Sequence, residues 1–293
     1  MKVALDPFLL SHLPLPEVVR TVADLGYEYM ELGPRPDFIP MYVHPHAGDE
    51  AVRGLKKVLA ETGVQLVNVT AGDYRWVSAN EEDRQAAVRY WKRALEITAE
   101  LECTTFHSEL GGVPGAPEEG EAAFWRSLDA LLPEHERLGI ALNLQAHPYN
   151  FIETNDEAVD LIRGVNHPLV GYVFVAAHTF HLGDDIAHMI RYAGSDLKQV
   201  LLADSMNHKG SSGLRFIVNP AEAEVTVHQH LKMGDGEVDF EGLFAALAAV
   251  QFDGILTNNV FSQDENVRRI YEEDRTWTLD LLAKHGLSSG STG

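Results

Sequence analysis

The 293-residue sequence lacks the features of secreted and membrane-spanning proteins. It has a single cysteine, Cys103, so no disulfide bond can form within the chain. No apolar run approaches the roughly 18 residues that a membrane-spanning helix needs. The first residues, MKVALDPFLL, do not have the pattern of a secretory signal. We therefore expect a cytoplasmic protein.

Basic residues are also scarce, with 23 Lys and Arg against 44 Asp and Glu and a formal charge of −21. A surface of this sign repels phosphate backbones and anionic lipids, which argues against nucleic acid and membranes as partners. The segment DPFLLSHLP, which follows the first apolar run, has no glycine and so no phosphate-binding turn. We expect a small-molecule partner that carries no phosphate.

Short β-branched runs alternate with longer amphipathic stretches along the whole chain. The predicted strands cover residues 3–7, 27–32, 65–71, 104–107, 140–145, 170–175, 199–203 and 254–257. The predicted helices cover residues 15–25, 50–62, 80–101, 120–138, 155–164, 184–193, 240–250 and 264–285. Strict alternation of eight strands with eight helices predicts a single (β/α)₈ barrel. We assign residues 1–285 to this barrel and residues 286–293 to a flexible tail.

Two predicted loops, at 33–49 and 205–239, are longer than the two to six residues usual in such units. The first contains Phe38, Ile39, Met41 and Tyr42, which are too apolar to face only water. The sequence therefore predicts either a lid over the site, with Phe38 and Tyr42 contacting substrate, or a contact with another subunit. A homo-oligomer or a complex with a partner subunit is compatible with this pattern.

Polar residues concentrate just past the predicted strands, at the end where barrels keep their active sites. They are Glu31, His107, Glu109, Gln145, His147, His178, Asp204, Arg215, His228, His230 and Asn259. We expect Gln145, His178, Asp204 and His230 to open on one cavity. Four other histidines lie on predicted helices or turns and are expected to be solvent-exposed: His135, His167, His188 and His285.

The chemistry of these residue types indicates their roles. Proton transfer is the role expected of the groups with suitable acid–base chemistry: Glu31, His107, Glu109 and His147. Hydrogen bonding to substrate is expected of Gln145, Arg215 and Asn259. His228 and His230 lie two apart in an extended run and so share one face. They can bind one metal ion, or they can be surface or substrate-binding histidines.

Three segments resemble the sugar phosphate isomerase/epimerase superfamily, whose members are xylose isomerase-like barrels. They are AHTFHLGDD, LLADS and HQHLKMGDGEVDF. The third is similar to a signature, H-x-x-x-G-x-G-x-h-[DN]-h, that is shared with the endonuclease IV type of DNA-repair enzyme. The resemblance covers nearly the whole chain, from KVALDPF to the eighth helix.

The chain diverges from this superfamily at the usual metal-ligand positions. Active epimerases hold one divalent metal with Glu, Asp, His and Glu, and the corresponding positions here read Gln145, Val175, Leu201 (or Leu202) and Asn259. The resemblance thus implies a displaced site for Zn²⁺ or Mn²⁺, if any metal is bound. Its predicted ligands are His178, His228, His230 and Asp204. The alternative is a metal-free pocket in which these groups hydrogen-bond a sugar.

The resemblance implies a sugar or polyol isomerase or epimerase that abstracts a proton next to a carbonyl. One alternative is a C-glycoside deglycosidase-type lyase subunit acting on an oxidised sugar. Another is a non-catalytic barrel that binds a sugar or a partner subunit and has lost its metal site. The acidic charge and the missing ligands argue against DNA repair.

Overall fold

Eight parallel strands close into a barrel in chain order, with β8 hydrogen-bonded to β1. The computed structural model describes residues 1–45, 47–178, 185–205, 230–261 and 266–290. The strands are β1 (Lys2–Leu5), β2 (Tyr29–Leu32), β3 (Gln65–Thr70), β4 (Thr105–Glu109), β5 (Ala141–Gln145), β6 (Val170–Val175), β7 (Leu197–Leu202) and β8 (Ile255–Asn258). The predicted (β/α)₈ barrel is confirmed.

An α-helix follows each strand and packs outside the barrel. The helices are α1 (Leu15–Asp24), α2 (Asp49–Thr62), α3 (Glu81–Glu100), α4 (Pro117–Leu138), α5 (Asn155–Val165), α6 (Ile186–Ala193), α7 (Phe240–Ala249) and α8 (Val267–Lys284). None of the helices in the described ranges is both long and apolar enough to cross a membrane.

Local sequence accounts for the ends of these helices. The side chain of Asn80 accepts hydrogen bonds from the first turn of α3, and three acidic residues complement the positive end of that helix. Gly63 ends α2 in the left-handed conformation, with φ 78°. The apolar face of α1 then packs on the barrel through Val18, Val19 and Val22, all fully buried.

A hydrogen-bonded polar layer crosses the interior of the barrel below the strand ends. Gln199 donates to Glu31 and, over 2.9 Å, to the Thr257 hydroxyl. Asn68 donates to the Gln199 side-chain oxygen over 3.0 Å. These four side chains come from β2, β3, β7 and β8, and each is at most 2% exposed. A register shift in the β2–β3 ladder falls between Met30 and Glu31, directly before the buried carboxyl group.

The loop after β2 is anchored in the core, which modifies the predicted lid. Phe38 and Ile39 are 4% and 1% exposed and belong to the main hydrophobic core. Met41 and Tyr42 remain 47% and 45% exposed. The loop therefore uses its first two apolar residues to hold itself in place, and only the second two face outward.

The prediction of a solvent-exposed His135 is wrong. This side chain is fully buried, and its Nδ1 lies 2.9 Å from the carbonyl oxygen of Ile140. The α4–β5 connection turns tightly at Gly139 and so brings the start of β5 back onto the last turn of the helix. The imidazole satisfies a buried backbone carbonyl there.

We expect Gly111→Ala to lower the free energy of unfolding by more than about 1 kcal/mol, because a positive φ and a clash both oppose a side chain. Gly111 has φ 75°, and an added Cβ would lie 2.6 Å from the Tyr74 carbonyl oxygen. Gly115→Ala is the matched control in the same loop, with no atom within 4 Å of the added Cβ. Urea unfolding measures the stability of both variants, and equal free energies of unfolding would contradict the loop geometry.

Candidate active site

The carboxyl ends of the strands surround a cavity of about 870 Å³. Nine residues predicted from the sequence line it: Glu31, Tyr42, His107, Glu109, Gln145, His147, His178, His230 and Asn259. Phe38 and Asp204 do not line it. Arg215 and His228 lie outside the described residues. The cavity thus brings together side chains that follow six of the eight strands.

Asp6 is a cavity residue that the sequence analysis missed. It follows β1, and its Oδ2 accepts a hydrogen bond of 2.7 Å from the Asn259 side-chain amide. Its Oδ1 accepts one of 3.0 Å from the Phe8 backbone. Burial, reinforced by the charge of Glu31, raises the pKa of Asp6 to about 8. The signal that could have found it is its place as the first polar residue after β1.

Glu31 forms the floor of the cavity. Only 2% of it is exposed, and Gln199 donates to its carboxylate from the polar layer. Burial raises the pKa of Glu31, while hydrogen bonds from Thr257, Asn68 and Gln199 lower it. Glu31 is therefore a buried acid that is held rigidly and is already engaged by the barrel.

His107 presents a nitrogen without a hydrogen-bond partner. Its Nε2 lies 3.1 Å from the Gln145 side-chain oxygen, and its buried Nδ1 has no partner. Because that oxygen accepts, Nε2 carries the proton and Nδ1 carries a lone pair. Burial lowers the pKa of His107 to about 4, so the ring is neutral at pH 7. A hydroxyl group of a ligand can satisfy Nδ1.

His178 and His230 meet nitrogen to nitrogen. Their Nε2 atoms are 3.2 Å apart. Nδ1 of His230 lies 2.9 Å from the Asn259 carbonyl oxygen, and Nδ1 of His178 lies 3.3 Å from that of Ala146. Because a carbonyl oxygen only accepts, Nδ1 of His230 carries its proton, and its Nε2 offers a lone pair to Nε2 of His178. A proton on Nε2 of His178, or a cation bound by both nitrogens, is compatible with this short separation.

The spacing of these two nitrogens fits adjacent ligands of one metal ion. Two Zn–N bonds of about 2.0–2.1 Å at a tetrahedral angle place their nitrogens about 3.3–3.4 Å apart. Burial lowers the pKa of His230 to about 4, so its ring is neutral at pH 7. Within the described ranges, however, no three His, Cys, Asp or Glu residues are grouped to hold a metal. Leu201 also lines the cavity and packs against Val175, leaving that wall apolar.

Asp204, predicted as a metal ligand, has its carboxylate engaged elsewhere. Its Oδ2 accepts from the Gly234 backbone over 2.8 Å, and its Oδ1 accepts from Ser205 and Val238 over 2.8 and 3.0 Å. These bonds fold the segment that directly follows His230. The position of Asp204 thus supports a structural role and gives no support to metal ligation.

Glu109 is the most open carboxylate among the predicted acid–base residues. Its side chain is 18% exposed, and its Oε2 lies 3.6 Å from Nδ1 of His147 and 3.4 Å from the Asn150 amide. The Tyr74 hydroxyl also bonds to it. Glu109 pairs in register with Gln145 across β4 and β5. These contacts orient a carboxylate that a ligand can still reach.

Exposed apolar side chains surround the mouth of the cavity and are called the rim below. The rim consists of Phe8, Met41, Tyr42, Val113 and Tyr149, which are 40–59% exposed. The two arginines that line the described part of the cavity are each paired with a carboxylate. Arg35 lies 2.8 Å from Asp37, and Arg75 lies 2.7 Å from Asp73. Neither is left to bind a phosphate.

Comparison with known proteins identifies the family of this fold. The family model described as xylose isomerase-like TIM barrel matches residues 19–281. A search of the curated proteins finds no match.

Solved structures of similar shape include sugar epimerases. D-psicose 3-epimerase from Clostridium cellulolyticum H10, solved with D-tagatose, has a TM-score of 0.77 at 17% identity, covering 96% of this chain and 99% of that one. 3-Keto-D-glucoside 4-epimerase from E. coli has a TM-score of 0.73 at 19% identity, covering 94% of this chain and 98% of that one. An IolI protein with a bound zinc atom has a TM-score of 0.76 at 18% identity, covering 97% of this chain and 99% of that one. At these identities the likeness establishes the fold alone.

We expect Asp6→Asn to be more stable than the wild type near neutral pH. The unfolded chain releases the Asp6 proton near pH 3.8 and the folded chain near pH 8, so wild-type stability falls as pH rises through that window. The variant lacks this loss, so its free energy of unfolding at pH 8 should exceed that of the wild type by more than about 1 kcal/mol. Urea unfolding from pH 4 to 8 measures the difference, with the exposed Asp24→Asn as control. A variant that is less stable at every pH would contradict the assignment.

Proposed function

We propose that this chain, which belongs to the xylose isomerase-like TIM barrel family, is an enzyme that moves protons next to the carbonyl group of a sugar or polyol. Isomerisation and epimerisation are the reactions of this kind. The cavity lining favours an uncharged substrate, because its described arginines are paired and it also contains Asp6, Glu31, Glu109 and Glu119. The structural likeness to sugar epimerases supports the class of reaction.

The observation that carries the proposal is an acid and a base on opposite sides of one cavity. Glu109 belongs to β4, whereas Asp6 bonds to Asn259, which follows β8. In a ring of eight strands β8 lies opposite β4, and β1, which Asp6 follows, is the neighbour of β8. Asp6 keeps its proton at neutral pH because burial raises its pKa to about 8. Glu109 is placed to remove a proton from one face of a substrate carbon, and Asp6 to deliver one from the other.

Neighbouring groups are suited to hold the sugar between these residues. Nδ1 of His107 and Oδ1 of Asn259 are buried polar atoms without a hydrogen-bond partner. Such atoms are costly to leave unsatisfied, and both belong to residues that line the cavity. His147, whose Nδ1 lies 3.6 Å from the Glu109 carboxylate, adds a polar group beside the proposed base.

His178 and His230 are the residues that would hold a divalent ion, Zn²⁺ or Mn²⁺. When bound, the ion would polarise the substrate carbonyl and stabilise the negative charge of an enediolate. The 3.2 Å separation of the two Nε2 atoms supports this assignment, as does the zinc atom bound to the similar IolI barrel. His228, predicted as a further ligand, lies outside the described residues.

Two alternatives use the same cavity. A C-glycoside deglycosidase-type lyase would begin with the same proton abstraction and then expel an aglycone. A non-catalytic sugar-binding or partner-binding barrel is favoured by the neutral residues Gln145, Leu201 and Asn259, all of which line the cavity.

Solvent deuterium exchange tests the proton transfer without knowledge of the product. We expect the wild type with added Zn²⁺ or Mn²⁺ to place deuterium from D₂O on a carbon next to the carbonyl of D-fructose, D-tagatose, L-ribulose or a 3-keto-D-glucoside. Glu109→Gln should slow exchange at least about 100-fold, because it removes the base. The exposed Glu118→Gln is the control. Sugars that bind without any exchange would favour the non-catalytic alternative.

The metal assignment has its own measurement. We expect wild-type protein incubated with Zn²⁺ or Mn²⁺ and then desalted to retain one ion per chain. His178→Ala and His230→Ala should each lose it, because one imidazole alone is a weak ligand set. The exposed His188→Ala should retain it. A wild type that binds neither ion would leave a shared proton as the explanation of the close histidines.

A further inference from the structure

A second cavity, of about 300 Å³, lies at the other end of the barrel from the candidate active site. Its lining includes Lys2 and Lys198, the first residue of β1 and the second residue of β7, and it shares no described residue with the lining of the first cavity. Along β7, Lys198 lines this second cavity, Gln199 belongs to the polar layer and Leu201 lines the first cavity. The polar layer therefore separates the two cavities inside the barrel.

The two lysines of the second cavity are the only lysines among the described residues without a carboxylate partner. The other five each have a carboxylate oxygen within 4.0 Å. Nζ of Lys2 lies 5.4 Å from the centre of the Tyr29 ring, and Nζ of Lys198 donates to the Ser195 carbonyl oxygen over 2.7 Å. An ammonium group has three N–H donors, so both lysines keep a charge and donors for a ligand. In a chain with 44 acidic and 23 basic residues, two such cations at one cavity indicate a site for an anion.

Asn143 supplies a buried polar side chain to the same cavity. It is 3% exposed, and its side-chain amide forms no hydrogen bond within the described part of the chain. A Cβ added to Gly171 would lie 2.9 Å from Oδ1 of Asn143 and 2.3 Å from Cγ of Lys198. The missing side chain at Gly171 thus lets the amide and the lysine approach each other. A buried amide needs a hydrogen-bond partner, and a ligand in this cavity can supply one.

We propose that the second cavity binds a phosphate group, either as the free ion or as part of a small molecule, through Lys2, Lys198 and the Asn143 amide. Lysine ammonium groups are common ligands of phosphate, and the amide adds a donor of fixed direction. Asp253, the one carboxylate in the described lining, is paired with the N-terminal amino group over 2.8 Å. The inference is independent of the proposed function, because the polar layer separates this phosphate from the proposed acid and base.

The net charge of −21 does not prevent such binding. At about 0.1 M ionic strength, repulsion from charges more than about 10 Å away is largely screened, so the nearby lysines dominate. The volume of about 300 Å³ is at the lower end of the range that is typical of ligand sites. A cavity of this size favours a phosphate ion or a phosphorylated compound of a few carbon atoms over a nucleotide.

Calorimetric titration with sodium phosphate at neutral pH, in about 0.1 M sodium chloride with a chelator, tests the site. The chelator removes metal ions through which phosphate could bind elsewhere. We expect saturable binding of one phosphate per chain. Lys2→Gln and Lys198→Gln should each weaken it at least about 10-fold, because each removes one of the two charges. Lys57→Gln, at a side chain that is 78% exposed and outside this cavity, makes the same change in net charge and should bind phosphate as tightly as the wild type.

Asn143→Asp is nearly isosteric but replaces the amide donor with a carboxylate, so it should abolish phosphate binding. Lys198 is exposed, so Lys198→Gln tests the site even if a substitution at the buried Asn143 impairs folding. A parallel titration with glycerol 3-phosphate separates the two sources of the phosphate group. Tighter binding than that of inorganic phosphate identifies a phosphorylated small molecule, and otherwise the ligand is the free ion. Heats that do not saturate with either compound, or equal binding by the wild type, Lys2→Gln and Lys198→Gln, would overturn the proposal.

Discussion

The hydrogen bonds of Gln199 inside the barrel are the constraint on which the site depends. One amide donates to Glu31 and Thr257 and accepts from Asn68, so it links four strands below the cavity. A carboxyl group that is only 2% exposed is thereby held at the floor of the cavity, where its charge acts strongly on its neighbours. The raised pKa of Asp6 follows from its own burial and, after that, from this charge.

The second constraint is the set of hydrogen bonds by which the Asp204 carboxylate holds the segment 231–238, although this segment lies far along the chain from Asp204. Three backbone N–H groups donate to its carboxylate, and Asp204 and Leu231 also exchange two backbone hydrogen bonds of 2.9 Å. This arrangement places His230 within 3.2 Å of His178, although 52 residues separate them. An aspartate away from the cavity thereby helps to set the spacing of two nitrogens inside it.

The sequence was sufficient to predict the barrel and nine residues that line the cavity, because strand ends converge whatever their loops do. It was insufficient where contacts between distant segments determine the position of a side chain. Asp6 lies inside the predicted first strand, 3–7, and only its bond to Asn259 reveals its role. His135 is a polar residue on an amphipathic helix, which suggests a solvent-exposed side chain. Its imidazole is instead buried and lies within hydrogen-bond distance of the Ile140 carbonyl oxygen. Phe38 matches the composition of a lid but packs in the core. The 3.2 Å contact between the Nε2 atoms of His178 and His230 depends on tertiary structure that no spacing in sequence encodes.

Floor and rim are built by different parts of the chain. The polar residues that line the cavity below the rim belong to strand ends or directly follow them, and the closed sheet fixes their positions. The rim residues lie further along the loops after β1, β2, β4 and β5, and the two tyrosines are held by local contacts such as those of Tyr42 with Arg75 and of Tyr149 with Glu153. Substitutions at the tips of these loops can therefore alter which group binds at the mouth without moving Asp6 or the paired histidines.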